Sequence, residues 1–238
     1  MKENIIFKII MEEELRGGKS TPNVVKVGNT VRRPSKESSI FVSEILKYLE
    51  KYGCPYTQRF LRFDDENREV YEYIEGVVPT DVGDTTIEQL EMFMKMLKNI
   101  HDITEKLTND GKVICHHDLS PCNVVFRGGI PIAIIDWDCC SYGERWEDVT
   151  YSIWSWANIG NHQRDTKILL DHMQKALDAY GADIEMKSDF AEKLLWKMDK
   201  RLEDTKKINL EYIKIKEWVE FSKLWVIENK IKIKELIG

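Results

Sequence analysis

The stretch Cys115-His116-His117-Asp118-Leu119-Ser120-Pro121-Cys122-Asn123 (CHHDLSPCN), followed by Ile134-Ile135-Asp136-Trp137-Asp138 (IIDWD), decides how the rest of the chain is read. The apolar runs VIC, NVVF and IAIID bracket the first motif and the turn Gly128-Gly129, which predicts short strands holding the motif's loop between them. Asp118 and Asp136 then stand eighteen positions apart, each at the end of an apolar strand, with their side chains projecting into one cleft. A carboxylate and an amide five residues apart on one loop suit a division of labour. Asp118 accepts a proton from an attacking hydroxyl, while Asn123 offers a carbonyl oxygen to a hard cation. Asp136 supplies the anionic ligand that Mg2+ demands.

The rival reading is zinc, because Cys115, His116, His117 and Cys122 offer four metal-ligating side chains within eight residues. Neighbouring side chains on a strand point to opposite sides, so Cys115 and His117 could face a metal while His116 faces away. Cys54, Cys115, Cys122, Cys139 and Cys140 are an odd count with no CxxC pair. That pattern argues against a disulfide framework and the usual zinc ribbons, leaving most of them as small buried hydrophobes.

The pattern H-x-D-x-x-x-x-N followed by I-D-W resembles the catalytic and metal loops of the aminoglycoside phosphotransferase and choline kinase family, small-molecule relatives of the protein kinases. That family usually reads H-G-D-L-x-P-x-N, then an apolar run ending I-D-[WF]. The chain matches at His116, Asp118, Leu119, Pro121, Asn123, Ile135, Asp136 and Trp137, and carries His117 where the family has glycine. The resemblance, which spans nearly the whole chain, implies an α+β, bilobal protein-kinase-like fold. Its small β-rich N-terminal lobe, residues 1–76, would bind nucleotide, and its larger helical C-terminal lobe, residues 77–238, would hold catalysis and substrate. By position it makes Asp118 the catalytic base, Asn123 and Asp136 the Mg2+ ligands, and His116 the structural histidine that braces the loop. The implied reaction moves the γ-phosphoryl group of ATP or GTP to a hydroxyl of a small molecule. No DFG or APE segment follows the metal loop, so a protein kinase lacks support.

In the first lobe, NVVKVGN (23–29) and TVRRP (30–34) read as a hairpin about Gly28-Asn29. Gly17 and Gly18, with Ser20 and Thr21 as extra donors, resemble the family's nucleotide loop. Arg33 holds roughly the place of the family's phosphate-pairing cation, with Arg32 the alternative if the register slips by one. Glu44, on a helix read from Glu37 to Tyr52 with Ile40, Ile45, Leu46 and Leu49 on its buried face, is the candidate partner for that cation. Its spacing to Leu46 and Leu49 departs from the family's usual pattern. REVYEYIEG (68–76) reads as a strand running into the interlobe hinge, where adenine would bond to the backbone of about Glu72 and Ile74.

Steps of three and four predict a helix from Thr86 to Leu107, and further helices over 148–159, 165–180, 187–202 and 210–237. The last shows two apolar rows, Ile215, Trp218, Phe221, Trp225 and Leu224, Ile227, Ile231, read as a wide buried face. Asp148 resembles the family's acid that supports the catalytic loop and is equally readable as an N-cap. Asp138 reads as a loop-capping acid or a further metal ligand, and His101 as structural. Trp146, Tyr151, Trp154 and Trp156 read mainly as core, with part of the cluster able to stack on an acceptor.

The chain of 238 residues is 42% hydrophobic and 32% charged with a net charge of −6, which disfavours nucleic-acid and anionic-membrane partners. The charge favours an aminoglycoside or another amine-bearing acceptor. Lys8 and the acids Glu12 to Glu14 break the apolar start, unlike a signal peptide, and no window reaches the roughly 18 apolar residues of a membrane span, so a cytoplasmic protein is expected. The second reading is a kinase-shaped binding or immunity protein that transfers little.

Overall fold

The computed structural model describes residues 12–15, 22–83, 85–161, 163–208 and 212–237. Strands β1 (Glu12–Glu14), β2 (Val25–Val27), β3 (Thr30–Pro34), β4 (Phe60–Phe63) and β5 (Arg68–Glu72) make one antiparallel sheet, ordered β1-β2-β3-β5-β4. The expected hairpin is present: Val27 lies opposite Thr30, and Gly28 takes the positive φ of +60° that closes a two-residue turn. Strand β3 pairs with β5 so that Arg33 stands opposite Glu69, a neighbour that local sequence did not suggest. Strands β1 and β4 were likewise not anticipated, being short and mostly exposed.

Helix α1 (Ser39–Lys51) buries Val42, Ile45, Leu46 and Leu49, while Ile40 is exposed. Two residues of a helix turn the chain by about 200°, so Ile40 cannot share a face with Val42. The strand read over 68–76 ends at Glu72. Tyr73 N–H then donates to Asn29 C=O at 3.0 Å, and the chain leaves the sheet. Val77 and Phe126 exchange two backbone hydrogen bonds of 2.8 Å, which pin the connection to the second part of the molecule.

That part is mainly helical. Helix α2 (Ile87–Thr104) starts at a capping box between Thr86 and Gln89 and buries Leu90, Phe93, Leu97 and Ile100. Strands β6 (Val113–Cys115), β7 (Val124–Arg127), β8 (Ile130–Ile134) and β9 (Ser141–Gly143) form two antiparallel pairs, β6 with β9 and β7 with β8. Helices α3 (Arg145–Trp156), α4 (Thr166–Tyr180), α5 (Ile184–Lys187), α6 (Phe190–Ile208) and α7 (Tyr212–Ile237) complete the chain. Trp154 stacks on Trp218 at 4.0 Å and Trp156 on Phe93 at 4.3 Å, so two members of the aromatic cluster are core. Among the described residues no helix is long and apolar enough to cross a membrane.

Helix α7 corrects one expectation. Its buried residues are Val219, Ser222, Val226, Asn229, Ile233 and Ile237, whereas Phe221, Leu224, Ile227 and Ile231 are exposed. Apolar side chains occur all round this helix, so periodicity alone could not select the inward face.

The connection has no room for a side chain at Gly76, where a Cβ would lie 2.5 Å from Val125 Cγ1 and 2.6 Å from the Phe126 carbonyl oxygen. Gly76→Ala is therefore expected to cost about 1–3 kcal/mol through forced displacement of β7. Thermal unfolding would read this as a Tm lower by roughly 2–10 °C.

Candidate active site

The loop between β6 and β7 is closed by its own hydrogen bonds. Ser120 N–H donates to Asp118 C=O and Asn123 N–H to Ser120 C=O, both at 3.0 Å. The Asn123 amide nitrogen donates to Asp118 C=O at 2.7 Å, so its Nδ2 is committed to the loop and its Oδ1 is turned away from it. His116 works as a brace: Nδ1 accepts from Asp118 N–H at 3.3 Å and Nε2 donates to Ile135 C=O at 3.0 Å, with the ring edge against Trp137. Ile135 N–H in turn donates to Asn123 C=O at 2.9 Å. These bonds gather Asp118, Asn123 and Asp136 at one end of the β7–β8 hairpin.

His117 has a φ of +65° at the position where the motif usually carries glycine. A side chain in that region is strained and needs outside support. Asp148 supplies it, accepting from His116 N–H at 2.6 Å and His117 N–H at 2.8 Å, while the His117 ring bonds Ser141 Oγ and Lys197 Nζ. Asp148 is thus a support of the loop, and the acid at the N-cap of α3 is Glu144. Burial alone would raise the Asp148 carboxyl, but the hydrogen bond from His101 and the cationic groups around it outweigh that and hold it well below the usual range.

Arg33 reaches across from the sheet. Its Nε meets Glu69 at 2.5 Å, Nη1 meets Asp136 at 2.9 Å, and Nη2 contacts Asp138 and, at 3.4 Å, the Tyr71 hydroxyl. Lys36 also pairs with Asp138. Arg32 points to the other face of β3, towards Asp64 at 3.6 Å, so the register with Arg33 inward holds. Glu44 does not pair with Arg33: it is exposed on α1, and Glu69 on the adjacent strand takes that place. Burial and the neighbouring Asp138 raise the Asp136 carboxyl above its usual range, opposed by Arg33.

Asn123 Oδ1 and the Asp136 carboxylate are an all-oxygen donor pair on braced backbone, and Asp136 is itself held at a φ of +62°. That chemistry fits a hard divalent cation such as Mg2+. The zinc grouping does not assemble. Cys115 Sγ donates to Glu144 C=O, both nitrogens of His116 are engaged, and burial raises the Cys115 thiol well above its ordinary value. Gly17, Gly18, Ser20 and Thr21 lie outside the described residues. Of the hinge residues, Glu72 N–H donates to Arg59 C=O at 3.0 Å and is already used, while Ile74 lies beyond β5 in the connection.

The model of the phosphotransferase enzyme family (APH) matches residues 44–181, more than half of the chain and the segment that holds this loop. The chain belongs to that family. A trifolitoxin immunity protein of Rhizobium leguminosarum bv. trifolii is 26% identical over 206 residues, covering 75% of this chain and 77% of that protein. Among solved structures, a microcompartment-associated aminopropanol kinase superposes with a TM-score of 0.67 at 10% identity, covering 95% of this chain and 94% of its own. The amicoumacin kinase hAmiN, in complex with AMP-PNP, Ca2+ and Ami, gives 0.62 at 11% identity, covering 92% and 88%. At these identities the likeness is one of fold: a small antiparallel sheet ahead of a larger helical part, as in protein-kinase-like enzymes.

Next to Asp118, this member of the phosphotransferase family carries Tyr151, which sequence reading placed only in an aromatic cluster, and two cations that sequence reading did not find. The Tyr151 hydroxyl donates to Asp118 Oδ1 at 2.8 Å, and Arg201 Nη2 lies 3.2 Å from the same oxygen. Both contacts fall on Oδ1; among the described residues Asp118 Oδ2 has no hydrogen bond. Arg201 and Lys197 come from α6, nearly eighty residues beyond the motif, and no local pattern marks them.

Because the folded pKa of Asp148 is depressed, its contribution to stability is complete above the unfolded value of about 3.9 and is lost as pH falls below about 4. Asp148→Asn would set an amide NH2 against one of the two loop N–H donors and remove the negative charge that both face. Stability at pH 7 should fall by about 1–3 kcal/mol, and acid titration of Tm should show a shallower loss than in the wild type.

Proposed function

We propose that the protein is a small-molecule kinase that moves the γ-phosphoryl group of ATP or GTP to a hydroxyl of its acceptor. The observation that carries this reading is the joining of Asp118, Asn123 and Asp136 through His116 and Ile135, with Arg33 arriving from the sheet. Asp118 Oδ2 takes the hydroxyl proton as the acceptor oxygen attacks the γ-phosphorus; the bond to the β–γ bridging oxygen breaks, and the nucleoside diphosphate leaves with that electron pair. Tyr151 and Arg201 fix the carboxylate through Oδ1 and leave Oδ2 facing the acceptor. Asn123 and Asp136 would hold Mg2+, which when bound offsets charge building on the transferred group. The Arg33 guanidinium is the phosphate-side cation, and nucleotide contacts fall to residues 1–76, including Gly17, Gly18, Ser20 and Thr21, with catalysis and acceptor in 77–238. The reaction belongs in the cytoplasm, where these nucleotides are supplied.

The net charge of −6 and the likeness to an aminopropanol kinase favour an amine-bearing acceptor. The side chains nearest the base have the opposite sign, and a bound acceptor meets those first.

A catalytically weak, kinase-shaped immunity protein is the second reading. It is favoured by the trifolitoxin immunity relative and by the Arg201 contact on the base. Asp118→Asn separates the two. For an enzyme, turnover with Mg-nucleotide and a panel of hydroxylated acceptors should fall by about 10²–10⁴-fold while nucleotide binding persists. Equal, negligible turnover in both forms supports the binder.

A further inference from the structure

We propose, resting on the phosphotransferase reading, that the acceptor carries an oxyanion close to the hydroxyl that is phosphorylated, and that Arg201 binds this group with Lys197 strengthening the field behind it. The two cations sit one turn apart on α6, and both lie over the Tyr151 ring, Arg201 at 5.6 Å and Lys197 at 5.7 Å from its centroid. The hydroxyl of that ring is bonded to Asp118, and Arg201 reaches the same carboxylate, so the pair stands beside the base.

Neither cation is saturated by the protein. A guanidinium has five donors in a planar fork that matches the two oxygens of a carboxylate or phosphate. Arg201 uses Nη2 on Asp118, while its Nε is buried with no hydrogen-bond partner among the described residues. Lys197 is only 4% exposed, and its hydrogen-bond partner is the neutral-type acceptor His117 Nδ1 at 3.2 Å. Among the described residues no carboxylate comes within salt-bridge reach of it. The charge of Lys197 is felt by the buried Asp148 carboxylate, whose oxygens are already filled by the loop N–H groups, and an anion placed against Arg201 would add a second counter-charge to the pair.

The acids that could instead welcome an amine are occupied. Glu147 closes the capping box with Glu144, and Asp148 is filled by the loop's N–H groups. The net charge of the chain does not decide the matter, because screening limits surface charge to a range of about 8 Å. An ammonium at this position would face Arg201 and Lys197.

The test uses thermal unfolding with Mg2+ and a non-hydrolysable ATP analogue, for the wild type, Arg201→Gln and Arg201→Lys. The acceptors share one three-carbon skeleton: glycerate, glycerol 3-phosphate, glycerol and 3-aminopropane-1,2-diol. The expected result is that glycerate or glycerol 3-phosphate raises Tm, and whichever responds separates a carboxylate from a phosphate. Arg201→Gln should weaken that acceptor about tenfold or more, Arg201→Lys less so, and both should keep the shift caused by nucleotide. The proposal is overturned if the amine or the neutral triol stabilises as well as the anions, if the anions stabilise Arg201→Gln equally, or if neither anion stabilises the wild type. Failure of the Mg-nucleotide itself to stabilise the wild type contradicts the phosphotransferase reading instead.

Discussion

The Arg33 guanidinium is the charge around which the two parts of the molecule are organised. It is almost wholly buried, and Glu69 beside it is fully buried, so each requires the other. Arg33 then reaches with Nη1 to Asp136 and with Nη2 to Asp138, which belong to the turn after β8. That turn begins at a non-glycine residue with positive φ, a conformation that persists only where its surroundings fix it. The same turn is fixed from below by His116 through the Ile135 carbonyl. One buried cation thus ties the sheet to the acidic end of the β7–β8 hairpin, and the catalytic-type loop inherits its position from that hairpin.

The loop itself was legible in the sequence because its chemistry is local. His116, Asp118 and Asn123 act on one another across a few residues, and a fixed spacing is what such bonds need. Arg33 was legible too, since strand alternation places it opposite in direction to Arg32. Its partner was not. Glu69 lies thirty-six residues away on a strand whose pairing only the fold determines, and the expectation of Glu44 came from a helix that turns that residue outwards. The short, mostly exposed strands β1 and β9 carry too little apolar pattern to be read, whereas the equally short but buried β6 was read. The buried face of α7 escaped for a different reason, because its apolar side chains are distributed round the whole helix.

The two sides of Asp118 differ in how they are built. Towards Arg33 the groups belong to the loop and the turn after β8 and are held by backbone bonds within the loop and hairpin. Towards α6 they come from a helix beyond the segment that matches the family, residues 44–181. Helices packed against a braced loop can change their side chains without moving the base, which is how one fold accommodates different acceptors. Tyr151 joins the two sides: its ring lies against the α6 cations and its hydroxyl fixes one oxygen of Asp118.

On the proposed reading, Asp136, presented with Asn123 and balanced by Arg33, would hold the cation that accompanies the nucleotide. Isothermal titration calorimetry of ATP, with and without Mg2+, on the wild type and Asp136→Asn tests it most directly. Mg2+-dependent binding is expected in the wild type, with loss of that dependence in the variant. Binding of equal strength with and without Mg2+, or an unchanged Mg2+ response in Asp136→Asn, would contradict it.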